Sequence, residues 1–229
     1  MGGAVEQFIV LAIQLAAARL RRRLAGKLER EDNELLDRST HTIVQQVESL
    51  KGMVNAFSEY ARAPELKFAQ LDLNELVGEA VDLYRAETRV AIEVQADPAL
   101  PAVRADRGRL RQVLNNLITN ALEALEGVAA GQVVVCTQFK AGPRGGSAVI
   151  MVADNGHGFD QEMLARVFEP YVTGKPRGTG LGLAIVKKIA EEHGGSIEAG
   201  NQSGGGAYVR VVLPLEARDE AAQPARGIA

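Results

Sequence analysis

Residues 36–61 place apolar or small side chains at steps that alternate between four and three positions. This heptad spacing is typical of a left-handed coiled coil or a four-helix bundle. The positions are Leu36, Thr40, Ile43, Val47, Leu50, Val54, Phe57 and Ala61. The segment from about Ala4 to Leu24 carries a shorter stripe of the same kind and is followed by a glycine. We therefore predict an antiparallel helical hairpin over residues 1–66.

A hairpin of two such helices leaves half of its apolar seam uncovered. A second copy of the hairpin would cover it, so the pattern predicts a homodimer joined in a four-helix bundle. The alternative is a monomeric hairpin that docks on its own second domain. The apolar run from Phe8 to Ala18 is shorter than the ~20 residues of a membrane span. We predict a buried helix there, with any membrane attachment through parts absent from this chain.

Beyond Pro64, which ends the second helix, the pattern alternates between strands and helices. It predicts strands at 71–73, 90–94, 132–139, 148–153, 196–200 and 207–213. It predicts helices at 74–87, at 106–126, where Asp106 is the N-cap, and at 181–193. This order indicates an α+β sandwich domain over residues 67–216, followed by a disordered tail over residues 217–229.

Composition and charge exclude one class of partner. The formal charge of −3 and the pI of about 5.7 argue against a nucleic-acid binder, because phosphate contacts need a basic surface. The single cysteine, Cys136, lies in an apolar run and is predicted to be a buried small hydrophobe rather than a reactive thiol. This cysteine content fits a reducing, cytoplasmic location.

Three polar residues of the predicted helix 106–126 form a line beside its apolar face. Asn116, Asn120 and Glu123 recur at i, i+4 and i+7. Amide oxygens suit a hard cation such as Mg²⁺ and leave room for triphosphate oxygens and water. Taken singly, each asparagine is more often a solvated helix residue, so the interpretation depends on the neighbouring motifs.

Two segments that contain glycine supply those motifs. Asp154 follows an apolar strand, where its carboxylate can accept a hydrogen bond from the exocyclic amine of adenine. Gly156 and Gly158 allow a base ring to approach the backbone closely. The run 177–183 has glycine at alternate positions and leads into a helix, whose amide N–H groups suit a phosphate.

Four motifs resemble, in order, the N, G1, F and G2 boxes of two-component sensor histidine kinases. They are Asn116-Leu-Ile-Thr-Asn120-Ala-Leu-Glu-Ala124, Asp154-Asn-Gly156-His-Gly158, Phe168-Glu-Pro170 and Gly178-Thr-Gly180-Leu-Gly182-Leu. The likeness covers roughly residues 70–214 and implies a GHKL (Bergerat) α/β sandwich that uses ATP and Mg²⁺. Segments 13–15, 19–22 and 57–61 resemble the nitrogen-regulation subgroup, of NtrY or NtrB type.

The resemblance also implies a role for each site residue. Asn120 would bind Mg²⁺, Asp154 would fix adenine, and Asn116 would line the phosphate side. Residues 159–179 would form a lid over ATP, anchored by Phe168, with Lys175 available to the γ-phosphate. Asn116 and Lys175 are thus the expected catalytic residues. The expected ATP-binding set is Asn116, Asn120, Glu123, Asp154, Gly156, Gly158, Phe168, Thr173, Lys175, Gly178, Thr179, Gly180, Leu181 and Gly182.

The activity implied is transfer of the γ-phosphate to a histidine and then to an aspartate in the receiver domain of a response regulator. In related hydrolytic ATPases, a glutamate that activates water stands four residues before the Mg²⁺-binding asparagine. Asn116 occupies that position here and favours phosphoryl transfer over hydrolysis. A non-catalytic ATP-binding scaffold that regulates a partner is the alternative, and a hydrolytic ATPase is a less favoured one.

The histidine that should accept the phosphate is not found. The family's acceptor motif, which resembles His-Glu-x-x-Asn/Lys-Pro, would begin at Ala4, and residues 4–12 contain neither histidine nor proline. His41, His157 and His193 lie outside such a motif. We therefore expect the chain to bind ATP but scarcely to phosphorylate itself. Its first helix is either rebuilt or truncated, or the chain is a natural degenerate kinase that binds ATP as a scaffold.

Overall fold

The computed structural model describes residues 2–24, 27–61, 65–142, 146–175 and 178–215. The chain divides into two compact units. The first comprises Met1–Arg62 and Lys175–Thr179, and the second comprises Ala63–Gly174 and Gly180–Ala229. The domain boundary after residue 66 stays a prediction, and the disordered tail predicted at 217–229 lies outside the described residues.

The first unit is built on two helices that pack against each other, α1 (Gly2–Leu24) and α2 (Arg30–Ala61). Helix α2 places Glu31 and Asp32 in its first turn. Negative side chains there stabilise the positive end of the helix. Arg21 Nε donates to Asp37 Oδ1 at 2.9 Å and so connects the two helices.

The apolar seam of the hairpin is only partly covered within one chain. Thr40 is the one described seam residue that is buried, and its hydroxyl donates to the carbonyl of Leu36 at 2.8 Å. About half of each side chain is exposed at Leu11, Leu15, Leu20, Ile43, Leu50 and Phe57. In the described part of the chain, no helix combines the length and the apolar character that a membrane crossing requires.

The second unit is an α/β sandwich, as predicted. Its mixed five-stranded sheet has the order β2-β4-β5-β7-β6, in which only the β2–β4 pair is parallel, and a separate antiparallel pair joins β1 to β3. The strands are β1 (Ala69–Leu71), β2 (Ala91–Gln95), β3 (Val103–Ala105), β4 (Gln132–Lys140), β5 (Ser147–Asp154), β6 (Ser196–Asn201) and β7 (Ala207–Pro214). The helices are α3 (Leu73–Glu87), α4 (Arg107–Ala124), α5 (Gln161–Leu164) and α6 (Gly182–Glu192).

The core of this unit lies between the sheet and helices α3, α4 and α6. Helix α4 contacts α3, α6 and the central strand β5. Its predicted apolar face is confirmed, since Leu110, Val113, Leu114, Leu117, Ala121 and Leu125 are all buried. The helix that carries Asn116 and Asn120 is therefore held from several sides.

Three local elements differ from the prediction. The strand predicted at 71–73 ends at Leu71, because the carboxylate of Asp72 accepts from the N–H groups of Asn74 and Glu75 and so caps α3. Strand β3 and the short helix α5 were not predicted, because three or four residues are too few to show a periodic pattern. Pairing with β1, rather than a local preference, defines β3.

Candidate functional site

The start of α4 is joined to the end of α6. Asp106 caps α4, as predicted, through a 3.0 Å bond from Arg109 N to Oδ1. Its own N–H donates to Nε2 of His193 at 3.1 Å, and the other ring nitrogen, Nδ1, lies 2.8 Å from the carbonyl of Ile189. His193 therefore carries its proton on Nδ1 in this arrangement. Beside it, Arg109 Nη2 donates to Glu192 at 2.7 Å in a largely buried ion pair.

Asp106 also makes this junction dependent on pH. Partial burial raises the pKa of its carboxyl, but hydrogen bonds from the backbone N–H groups of Lys67, Arg109 and Gly108 outweigh burial and hold that pKa below its usual value. A pKa that is lower in the folded state stabilises the fold above the unfolded pKa, about 3.9 for aspartate. That stabilisation is lost as the pH falls through the folded pKa.

We therefore expect Asp106→Asn to destabilise the chain at pH 7, and the loss to shrink once the pH falls below about 3.9 and through the folded pKa. The amide retains one acceptor oxygen, but it presents N–H groups to a backbone donor and carries no charge. Urea denaturation of both proteins, followed by circular dichroism across this pH range, measures the difference. A difference that stays constant with pH would contradict the assignment.

Two predicted phosphate-side residues lie together beside the start of α6. A Cβ placed on Gly182 would lie 3.6 Å from Nδ2 of Asn120 and 3.8 Å from Oδ1 of Asn116, so both amides border the space that this glycine leaves open. The Nδ2 atom of Asn116 is buried and has no hydrogen-bond partner among the residues that the structure describes. A buried amide donor without an acceptor is uncommon and indicates a place for a ligand oxygen.

Glu123, the third predicted residue of the polar line, lies in the last turn of α4. It is exposed and lines a cavity of about 280 Å³ between α3 and α4. The other lining residues are Tyr84, Glu87, Thr88, Thr119, Leu122 and Glu126. The contact of Glu123 with ATP stays a prediction.

Asp154 ends β5 and is buried, with 7% of its surface exposed. Its Oδ1 accepts from the N–H groups of Gly156 at 2.9 Å and Ala207 at 3.4 Å. Among the described residues, the other oxygen, Oδ2, is left to meet a ligand donor. A Cβ on Gly156 would overlap the carbonyl oxygen of Ala124, so the loop passes against the C-terminal end of α4.

Two side-chain amides that the sequence analysis did not single out hold the loop 154–159. Asn155 accepts from the N–H of Gln132 at 2.7 Å and donates to the carbonyl of Ala130 at 2.9 Å. Asn201, at the end of β6, accepts from the N–H of Phe159 and donates to its carbonyl, both at 2.7 Å. Asn155 lies inside a recognised motif, but Asn201 gives no local signal because its partner is 42 residues away.

The glycine-rich segment enters α6 through a tight contact with the chain before it. Gly180 has φ +65°, its carbonyl accepts from the N–H of Tyr171 at 2.9 Å, and a Cβ on it would overlap the Tyr171 backbone. Leu181 is 1% exposed, so its side chain belongs to the core. Helix α6 begins at Gly182. Its N–H groups are suited to an anion.

The residues of the predicted lid differ in their burial and in the unit to which they belong. Phe168 is half-buried, its neighbour Val167 is buried, and the role of Phe168 as the anchor of the lid stays a prediction. Thr173 is exposed. Lys175, Gly178 and Thr179 belong to the first unit, where the N–H of Gly178 donates to the carbonyl of Lys175 at 3.1 Å. Their roles toward ATP stay predictions, as does that of Gly158, which has φ +75°.

The sequence and the fold of this chain are similar to those of known proteins. The profile of the family described as histidine kinase-, DNA gyrase B- and HSP90-like ATPase matches residues 105–217. The catalytic domain of histidine kinase ThkA, solved without nucleotide, is 31% identical and aligns over 65% of this chain and 96% of that domain, with a TM-score of 0.57. The chain belongs to the sensor histidine kinase family.

Within that family, the kinase chain is similar to the nitrogen regulation protein NtrY of Azorhizobium caulinodans. The two are 42% identical over 209 residues, which cover 89% of this chain and 27% of NtrY. Full-length ShkA in complex with AMPPNP is 28% identical, with a TM-score of 0.66, and aligns over 93% of this chain and 45% of that one. ThkA in complex with the response regulator TrrA is 26% identical, with a TM-score of 0.67, over 93% and 61%.

Proposed function

We propose that the second unit binds Mg·ATP and that, in the intact parent protein, it passes the γ-phosphate to a histidine. The observation that carries this proposal is the buried, unpartnered Nδ2 of Asn116 beside Asn120 and Gly182. A buried donor without a partner costs about 1–3 kcal/mol. An anionic phosphate oxygen at that point would remove this cost and gain a charge-assisted hydrogen bond.

The neighbouring groups suit the remainder of the same ligand. The amide oxygen of Asn120 fits a Mg²⁺ ion that is otherwise held by phosphate oxygens, and the ion would neutralise charge that develops on the transferred group. The start of α6 offers backbone N–H groups to the phosphates. Asp154 offers Oδ2 to the exocyclic amine of adenine, while Oδ1 is engaged by the backbone.

The receiving half of the reaction is assigned to the intact parent protein. There, a histidine would take the phosphate and an aspartate of a response regulator would receive it next, consistent with the ThkA–TrrA complex. This chain has alanine where the acceptor is expected, so it should scarcely label itself. The half-exposed apolar side chains of α1 and α2 support a homodimer through the hairpin, because a second copy would cover them.

Incubation with labelled Mg·ATP and a separately supplied helical hairpin that contains an acceptor histidine tests the proposal. We expect acid-labile, base-stable label on the supplied hairpin and almost none on this chain. Asn116→Ala and Asn120→Ala should each lower the transfer rate by about 10²-fold or more, because each removes a group that contacts the phosphates or their metal.

The matched control is Asn115→Ala, which removes the same side chain from the adjacent position of α4. It should transfer at nearly the unaltered rate. ATP binding without transfer in any mixture would favour the non-catalytic scaffold, and steady release of free phosphate would favour hydrolysis. Equal losses in all three variants would show a general effect on α4 and remove the support that the amide pair gives.

A further inference from the structure

We infer that the β6–β7 hairpin, through Asn201 and Gln202, is the positioning element for the loop 154–159 and thereby sets selectivity for the nucleotide base. The inference rests on the proposed nucleotide site and names a part of the chain outside the motifs that define it. The hairpin comprises β6, the turn 202–206 and β7. It reaches both ends of the loop.

At the far end of the loop, the Asn201 side chain acts as a strand partner would. Its Oδ1 accepts from the N–H of Phe159 and its Nδ2 donates to the carbonyl of the same residue, each at 2.7 Å. This pair of bonds fixes both the position and the orientation of one peptide segment, as a ladder pair does in a sheet. A Cβ on Gly158 would lie 2.9 Å from Oδ1 of Asn201, so the loop approaches this amide as closely as a glycine allows.

At the near end of the loop, the hairpin holds Asp154. Gln202 Nε2 donates to the Asp154 carbonyl at 2.6 Å, and the N–H of Ala207 lies 3.4 Å from its Oδ1. The turn is itself closed by a 2.9 Å bond from the N–H of Gln202 to the carbonyl of Gly206. The same hairpin therefore bonds to both ends of the loop, at Asp154 and at Phe159.

Because the Asn201 side chain is exposed to solvent, its effect on the position of the loop 154–159 can be distinguished from an effect on the stability of the fold. Both of its bonds to Phe159 are solvent-exposed, so water can satisfy the N–H and the carbonyl when the amide is removed. The fold should therefore lose little stability, whereas the loop loses its defined position. Base recognition depends on that position to a fraction of an ångström, and phosphate binding at α4 and α6 does not.

Competition binding in the full chain, with a fluorescent nucleotide displaced by Mg·ATP or Mg·GTP, tests the inference. Asn201→Ala should weaken ATP binding about tenfold, which corresponds to about 1.4 kcal/mol, and should change GTP binding by less than about twofold. The ratio of the two affinities then falls. Asn201→Asp, which keeps the acceptor for Phe159 N–H and loses the donor, should fall between these values.

Glu198→Gln is the matched control, because it weakens an ion pair with Arg210 across the same hairpin without contacting the loop. It should leave the ATP-to-GTP ratio unchanged. Equal loss of ATP and GTP affinity in Asn201→Ala, or a lower unfolding midpoint with an unchanged ratio, would assign Asn201 a merely structural role and overturn the inference. Failure of the unaltered chain to bind Mg·ATP would instead refute the proposed function.

Discussion

Gly206→Ala is expected to destabilise the second unit by about 3 kcal/mol or more and to abolish nucleotide binding. Gly206 has φ +90°, a conformation that strains an L-residue, and its added Cβ would overlap the carbonyl oxygen of Asp154. A Cβ would also press on the Asn155 backbone. Both obstacles are backbone atoms, so relief requires that the start of the loop 154–159 move. Thermal unfolding and Mg·ATP titration measure the two effects.

Gly205→Ala provides the comparison that isolates the contact. Gly205 has a similar φ of +96°, but a Cβ on it would meet no atom within 4 Å. It should cost only the conformational strain, about 1–2 kcal/mol. Nucleotide affinity of the folded protein should be unchanged. Equal destabilisation by the two substitutions would mean that strain alone explains the result and that the contact with Asp154 has no effect.

Leu114→Ala is the second substitution with a large expected effect. Leu114 lies in the middle of α4 and is 0% exposed, so its truncation leaves a cavity under the helix that carries Asn116 and Asn120. Losses of this kind reduce the free energy of unfolding by about 2–5 kcal/mol. Urea denaturation measures the loss. Mg·ATP should raise the urea concentration at the unfolding midpoint of this variant, because ligand binding favours the folded state.

Leu83→Ala removes the same side chain from α3 at a position where it is 56% exposed. Substitutions at such sites usually change stability by no more than about 0.5 kcal/mol. A loss at Leu83 as large as that at Leu114 would contradict the placement of the core between the sheet and α4.

The sequence predicted structure correctly where the spacing of residues within one segment is enough to define a helix and its buried face. The buried stripe of α4 and the Asp106 cap follow from spacing within a single helix, and the sandwich follows from the order of strands and helices. The placement of Asn116 next to Asn120 at Gly182 needs two distant segments, and there the ordered motifs, not periodicity, supplied the link.

The failures share a cause, which is that contacts between distant residues decided them. Strand β3 exists because it pairs with β1, and Asn201 is placed by a partner 42 residues away.

The cluster around His193 joins the residues before β1 to helices α4 and α6 of the second unit. The N–H of Lys67 donates to Oδ2 of Asp106 at 2.8 Å, and the Phe68 ring meets the His193 ring edge-on with centroids 5.1 Å apart. Residues 67 and 68 are thus attached to the start of α4 and the end of α6, and in the described part of the chain β1 pairs with β3 alone. A displacement of residues 67 and 68 would therefore act directly on α4 and α6, the two helices that border the amide pair.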